Sequence, residues 1–135
     1  MQEYSGTILH LEDEGYIRRL FELQVATPLG MHYVGTGVPN EFLELVGKPR
    51  SGPVVYVLDN NVKPYGPQLV TMVAKLRQAG VRDSQILGLT GDTLSIAALV
   101  APVKLIQKPA DSRVLREEIK RASLEANLEP DNLPQ

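Results

Sequence analysis

The chain has 135 residues, which suits one domain with a core of its own and leaves little room for two. It contains no cysteine, which excludes a disulfide framework, cysteine-ligated zinc and a cysteine nucleophile. Lys and Arg number 14 against 16 Asp and Glu, the formal net charge is -2, and the basic residues are scattered, so the composition speaks against direct nucleic-acid binding.

No apolar run approaches the roughly 20 residues of a membrane span. The N-terminus lacks a basic region followed by an apolar core, so no signal peptide is expected. A soluble, cytoplasmic domain with no membrane contact is the reading that follows.

Thr7-Ile8-Leu9-His10-Leu11 reads as the first strand, and it runs into three consecutive acids, Glu12-Asp13-Glu14. Gly15 to about Gln24 reads as a helix with Ile17, Leu20, Phe21 and Gln24 on one face, closed by Pro28 and Gly30. Met31 to Thr36 is a weaker strand. A short helix over Glu41 to Val46, opened by Val38-Pro39-Asn40, buries Phe42, Leu43 and Val46 and ends at Gly47. The loop Lys48 to Pro53 leads into Val54-Val55-Tyr56-Val57-Leu58, a β-branched apolar run of the kind buried on both faces of a parallel sheet, which stops at Asp59.

Pro64, Gly66 and Pro67 mark a second loop. The next helix carries Leu69, Met72, Val73 and Leu76 as its apolar stripe and ends at Gly80. Gln85 to Thr90 is the fourth strand, Gly91-Asp92 opens a short helix to about Val100, and Val103 to Gln107 is the fifth strand, ended by Lys108-Pro109. Asp111 or Ser112 caps a last helix with Leu115, Ile119 and Ala122 facing inward. Residues 1–124 therefore form the domain, and 125–135 read as a polar tail or linker.

Strand and helix alternate five times with short connections, which implies right-handed βαβ units, a parallel sheet and helices on both faces. The fold class is α/β, flavodoxin-like, doubly wound and five-stranded, with strand order 2-1-3-4-5. In that order the C-terminal ends of strands 1, 3, 4 and 5 are neighbours, and ligands bind at that edge. They would bring Glu12 and Asp13, then Asp59, Thr90 and Lys108 side by side. Crowded carboxylates resist ionising together unless a cation joins them, and a few oxygen ligands with several waters suit Mg²⁺. A lysine, a hydroxyl, a metal and a carboxylate nucleophile are the parts that phosphoryl transfer requires. Taken singly, these residues have ordinary readings as a solvated acidic run, a turn threonine and a loop lysine; their order along one edge is what points to a site.

The ordered set resembles the receiver domains of two-component response regulators. Ile8 to Glu14 is similar to their first strand and acidic pair, and Val55 to Asp59 to the strand bearing the phosphoacceptor. Leu87 to Gly91 is similar to the switch hydroxyl and the small residue after it, and Ile106 to Pro109 to the lysine joined to proline by a cis bond. The resemblance covers about residues 6–124. It implies that Asp59 accepts a phosphoryl group from a phosphohistidine on a sensor histidine kinase or histidine phosphotransfer protein. It further implies that Asp13, Asp59 and the Asn61 carbonyl bind Mg²⁺, with Glu12 acting through water, and that Lys108 and Thr90 hold the acyl phosphate.

The implied domain is a signalling module that phosphorylates and dephosphorylates itself, not an enzyme turning over external substrates. Its output would be read by a downstream partner, or a homodimer formed, on the face of the fourth helix, fifth strand and fifth helix. The chain departs from the family pattern where Val62 and Lys63 hold the places of a Met-Pro pair, with a proline one residue later at Pro64, and at Leu105, which stands in the place of the switch aromatic. The alternative is a pseudo-receiver, a protein-interaction or dimerisation module that works without phosphorylation. A flavin or dinucleotide binder would need a glycine- or hydroxyl-rich loop where Glu12-Asp13-Glu14 stand, and an aspartate phosphatase would need its nucleophile on the first strand. His10 reads as a buried, hydrogen-bonded imidazole.

Overall fold

The computed structural model describes residues 4–59, 68–91 and 93–128. Five parallel strands, β1 (Thr7–Leu11), β2 (His32–Thr36), β3 (Val54–Asp59), β4 (Ile86–Thr90) and β5 (Lys104–Gln107), form one sheet in the order β2-β1-β3-β4-β5. Every residue of β1, β3 and β4 is buried, as expected for strands covered on both faces. The register pairs Leu11 with Leu58 and Asp59 with Leu89, so the ends of β1, β3 and β4 rise to one edge. Among the described residues no helix is long and apolar enough to cross a membrane.

Alternation along the strands splits the core in two. Ile8, Val55, Val57, Leu87, Leu89 and Ile106 face α1 (Gly15–Phe21, continued below) and α5 (Ser112–Leu128). Leu9, Leu11, Tyr56, Leu58 and Ile86 face α2 (Pro39–Val46), α3 (Gln68–Gln78) and α4 (Thr93–Val100). α4 has only two turns, as the short interval between Thr90 and Lys108 predicts. Asp111 caps α5 by accepting the Arg113 N–H at 2.7 Å, and this helix continues to Leu128, beyond the boundary placed at 124.

The first helix differs from its expected form. After α1 the chain passes into a π-helical turn, Glu22–Ala26, and a last α turn, Thr27–Leu29, so Pro28 lies inside the final turn and does not follow the helix. Proline has no N–H to offer the preceding turn. The Gln24 carbonyl instead accepts from Arg116 Nη1 of α5 at 2.8 Å, a bond between residues 92 apart in sequence. Phe21, Val25 and Ala26 are buried, whereas Leu20, expected to face inward, is exposed. An i→i−5 turn from Glu22 to Thr27 rotates the later residues away from a regular 3.6 repeat, which is why Val25 and Ala26 are buried and Gln24 is exposed.

Candidate phosphoacceptor site

His10 and Glu12 leave β1 on the same face as Val57 and Asp59 leave β3, because each pair is two residues apart. Glu12 is 4% exposed and Asp59 4% exposed, so two carboxyl groups are buried at one strand edge. Lys108, just past β5, places Nζ 2.9 Å from Asp59 Oδ1. The Lys108–Pro109 peptide is cis, as the resemblance implies, and so is Ala101–Pro102. Thr90 is 1% exposed and ends β4, one residue beyond Leu89, the register partner of Asp59. The Lys108 N–H donates to the Thr90 carbonyl at 2.8 Å, which fixes the lysine backbone to the end of β4.

These groups line a cavity of ≈ 670 Å³. Glu12, Asp13, Glu14, Asp59 and Lys108 make its polar wall; Ile17, Phe21, Leu89 and Leu115 contribute apolar surface, with His10 beside them. Glu12 is held on three sides. Arg18 Nη1 donates to its carbonyl at 2.6 Å, the Glu14 N–H donates to its Oε2 at 3.0 Å, and its carboxyl is hydrogen-bonded to Asp59. Burial is the main reason its pKa is pushed up to about 8, and the hydrogen bond to Asp59 adds to the rise; the Glu14 N–H pulls the other way.

The donor set fits a hard divalent cation. One carboxylate oxygen from each of Glu12, Asp13 and Glu14 lies within 4.8 Å of the others, and Asp59 faces the same cavity. Of the residues expected to form the site, Glu12, Asp13, Asp59 and Lys108 line one cavity, and Thr90 is the residue after Leu89, which lines it too. Asn61, and with it Val62, Lys63, Pro64 and Asp92, lies outside the described residues.

His10 is buried, as expected, and burial lowers its pKa to about 3 despite the opposing pull of Asp59. Its hydrogen-bond partner, Tyr33, and the support of Glu12 by Arg18 were not foreseen. Both depend on contacts across strands or turns that carry no motif. Leu105, in the place of the switch aromatic, packs half-buried against the core that faces α2, α3 and α4. A Cβ on Gly88 would lie 2.5 Å from Leu69 Cδ1 and 2.7 Å from Leu105 Cδ2, so Leu105 occupies the hollow left by that glycine.

No protein-family model matches the chain, and no curated protein matches it. Solved structures do. A response regulator receiver domain protein from Clostridium thermocellum superposes with a TM-score of 0.77 at 15% identity, covering 93% of this chain and 99% of that one. FixJ-N superposes at 0.71 with 25% identity over 92% and 96%. The chemotaxis protein CheY4 of Vibrio cholerae gives 0.70 at 19% over 87% and 98%. The fold, a five-stranded parallel sheet of order 2-1-3-4-5 between helices, is of the doubly wound α/β class. This chain has the fold of a response regulator receiver domain.

Proposed function

We propose that this chain is a working receiver domain, in which Asp59 accepts a phosphoryl group from a phosphohistidine donor, a sensor histidine kinase or histidine phosphotransfer protein, in the cytoplasm. The observation that carries this reading is the Lys108–Asp59 pair: an ammonium 2.9 Å from a carboxylate that is almost wholly buried, with three more acids on the same cavity wall. A buried ion pair is costly to maintain for stability alone, so its persistence at a strand edge favours a chemical role.

In the step proposed, an Asp59 oxygen forms a bond to phosphorus while the donor's P–N bond breaks, and the donor imidazole leaves with a proton. Lys108 neutralises charge on the phosphoryl oxygens, and the Thr90 hydroxyl donates to one of them. Glu12, Asp13 and Asp59 would hold Mg²⁺, which supplies a second positive charge against those oxygens. Glu14 offers a carboxylate oxygen within 4.8 Å of those of Glu12 and Asp13 and could join such a ligand set. Once the group is attached, Asp59 no longer offers Lys108 a free carboxylate, and the ammonium follows the phosphoryl oxygens.

Incubation with acetyl phosphate and Mg²⁺, read by intact mass, tests the reading. A single phosphoryl adduct is expected on wild type and none on Asp59→Asn. The pseudo-receiver reading draws on Leu105, which stands in the place of the switch aromatic and packs over Gly88 beside Leu69. It would be preferred if wild type took no adduct.

A further inference from the structure

Gln107 closes β5 immediately before Lys108, and its side chain reaches back across the turn that follows Thr90. Its Nε2 donates to the Gly91 carbonyl at 2.7 Å and, more weakly, to the Lys108 carbonyl at 3.4 Å. Its Oε1 accepts from Thr93 Oγ1 at 3.0 Å. The amide has one sensible orientation, because turning it over would set its oxygen against two carbonyls. A single side chain thus ties both ends of the β4–α4 turn to the edge strand. Gly91 is the residue next to Thr90, and Thr93 is the first residue of α4.

β3 and β5 lie on opposite sides of β4. Asp59 sits on the β3 side of Thr90 and Gln107 on the β5 side, paired with Thr90 in the strand register. If Asp59 carries a phosphoryl group to which the Thr90 hydroxyl donates, that hydroxyl would be drawn toward β3, and the movement would carry Gly91 away from β5 and lengthen the Gln107–Gly91 bond.

We propose that Gln107 is a positioning residue of the switch: its amide latches the turn after Thr90 in the unphosphorylated arrangement and must release for Thr90 to reach a phosphoryl group. The proposal rests on the phosphoacceptor reading of Asp59. It gives the domain a polar restraint at the edge where Leu105 offers no aromatic one.

The test is Mg²⁺-dependent fluoroberyllate binding followed by NMR in wild type, Gln107→Leu, Thr93→Val and the double variant, with Mg²⁺ affinity alone measured in each. Gln107→Leu should tighten fluoroberyllate binding roughly three- to tenfold, the worth of one or two hydrogen bonds held only in the free state. Thr93→Val should tighten it less. The double variant should match Gln107→Leu, because the Thr93 bond runs through Gln107. Mg²⁺ affinity should stay at the wild-type value in all four, which a general loosening of the fold would not give. Unchanged or weakened fluoroberyllate binding in both single variants overturns the latch while leaving the phosphoacceptor reading intact. Wild-type protein that takes no fluoroberyllate overturns both.

Discussion

The hydroxyl of Tyr33 and Nδ1 of His10 are hydrogen-bonded at 2.7 Å, deep between β2 and the first helix. The bond exists because of Gly35. Gly35 pairs with His10 in the strand register, and a Cβ there would lie 2.5 Å from the Tyr33 hydroxyl and 2.8 Å from its ring. The tyrosine therefore lies along its own strand over the glycine, and the imidazole stacks at 4.2 Å on Phe21. Gly35→Ala should expel the ring and cost about 1–3 kcal/mol by overpacking. Tyr33→Phe should cost about 1–3 kcal/mol by leaving Nδ1 without its bond. Urea unfolding of both variants checks this; a shift in neither would mean the pair contributes nothing to stability.

Stability should depend on pH through two groups of opposite sign. The folded pKa of His10 is lowered to about 3, so between 6.5 and 3 the unfolded chain takes up a proton that the folded chain refuses, and stability falls as pH drops. The slope reaches about 1.4 kcal/mol per pH unit at most. The folded pKa of Glu12 is raised to about 8, so its contribution is complete below 4.5 and is lost as pH rises through 8 in cation-free buffer. The two slopes oppose each other and cancel between about 4.5 and 6.5, so thermal melts across pH 3 to 9 should show a fall below 4.5 that His10→Leu removes and a fall between 6.5 and 8 that Glu12→Gln removes. Limbs that survive these substitutions would assign the slopes to other groups.

Lys108 and Asp59 should separate in a labelling experiment. Asp59→Asn should abolish phosphoryl uptake from acetyl phosphate. Lys108→Ala keeps the acceptor but removes the ammonium 2.9 Å from it, and uptake should slow roughly 100-fold, the scale of losing one preorganised charge donor. Rates from quenched time points and intact mass measure this. Wild-type rates in Lys108→Ala would remove the lysine from the chemistry.

Gly88→Ala should destabilise the domain by about 1–3 kcal/mol, since the new methyl would meet Leu69 and Leu105 inside van der Waals distance. Pairing it with Leu105→Ala should recover part of the loss, because the second change vacates half of the contact. Additive losses in the double variant would mean that Leu69 alone sets the limit.

Strand order, the two-faced core and the row of Glu12, Asp13, Asp59, Thr90 and Lys108 were legible in the sequence. Buried parallel strands write themselves as short β-branched runs, and each run here ends in a residue whose chemistry differs sharply from the run. The short α4 was legible too, from the few residues between Thr90 and Lys108. The inner face of the first helix was not. Leu20, placed inward by its spacing, is exposed, the repeat is broken after Phe21 by a π turn, and the Gln24 carbonyl that Pro28 cannot serve is taken by Arg116, 92 residues away.

What only the tertiary structure decided are the contacts that cross elements: Tyr33 on His10, Arg18 on the Glu12 carbonyl, Leu105 over Gly88, and Gln107 on Gly91 and Thr93. Local spacing specifies which face a residue occupies, because backbone periodicity repeats along one element. Which partner a polar side chain meets depends on how two elements are offset in space, and that offset is set by the packing of the whole core. The sequence by itself therefore determined the sheet and the chemical groups at its edge. The fold determined that Glu12 and Asp59 are buried together, with Lys108 facing Asp59.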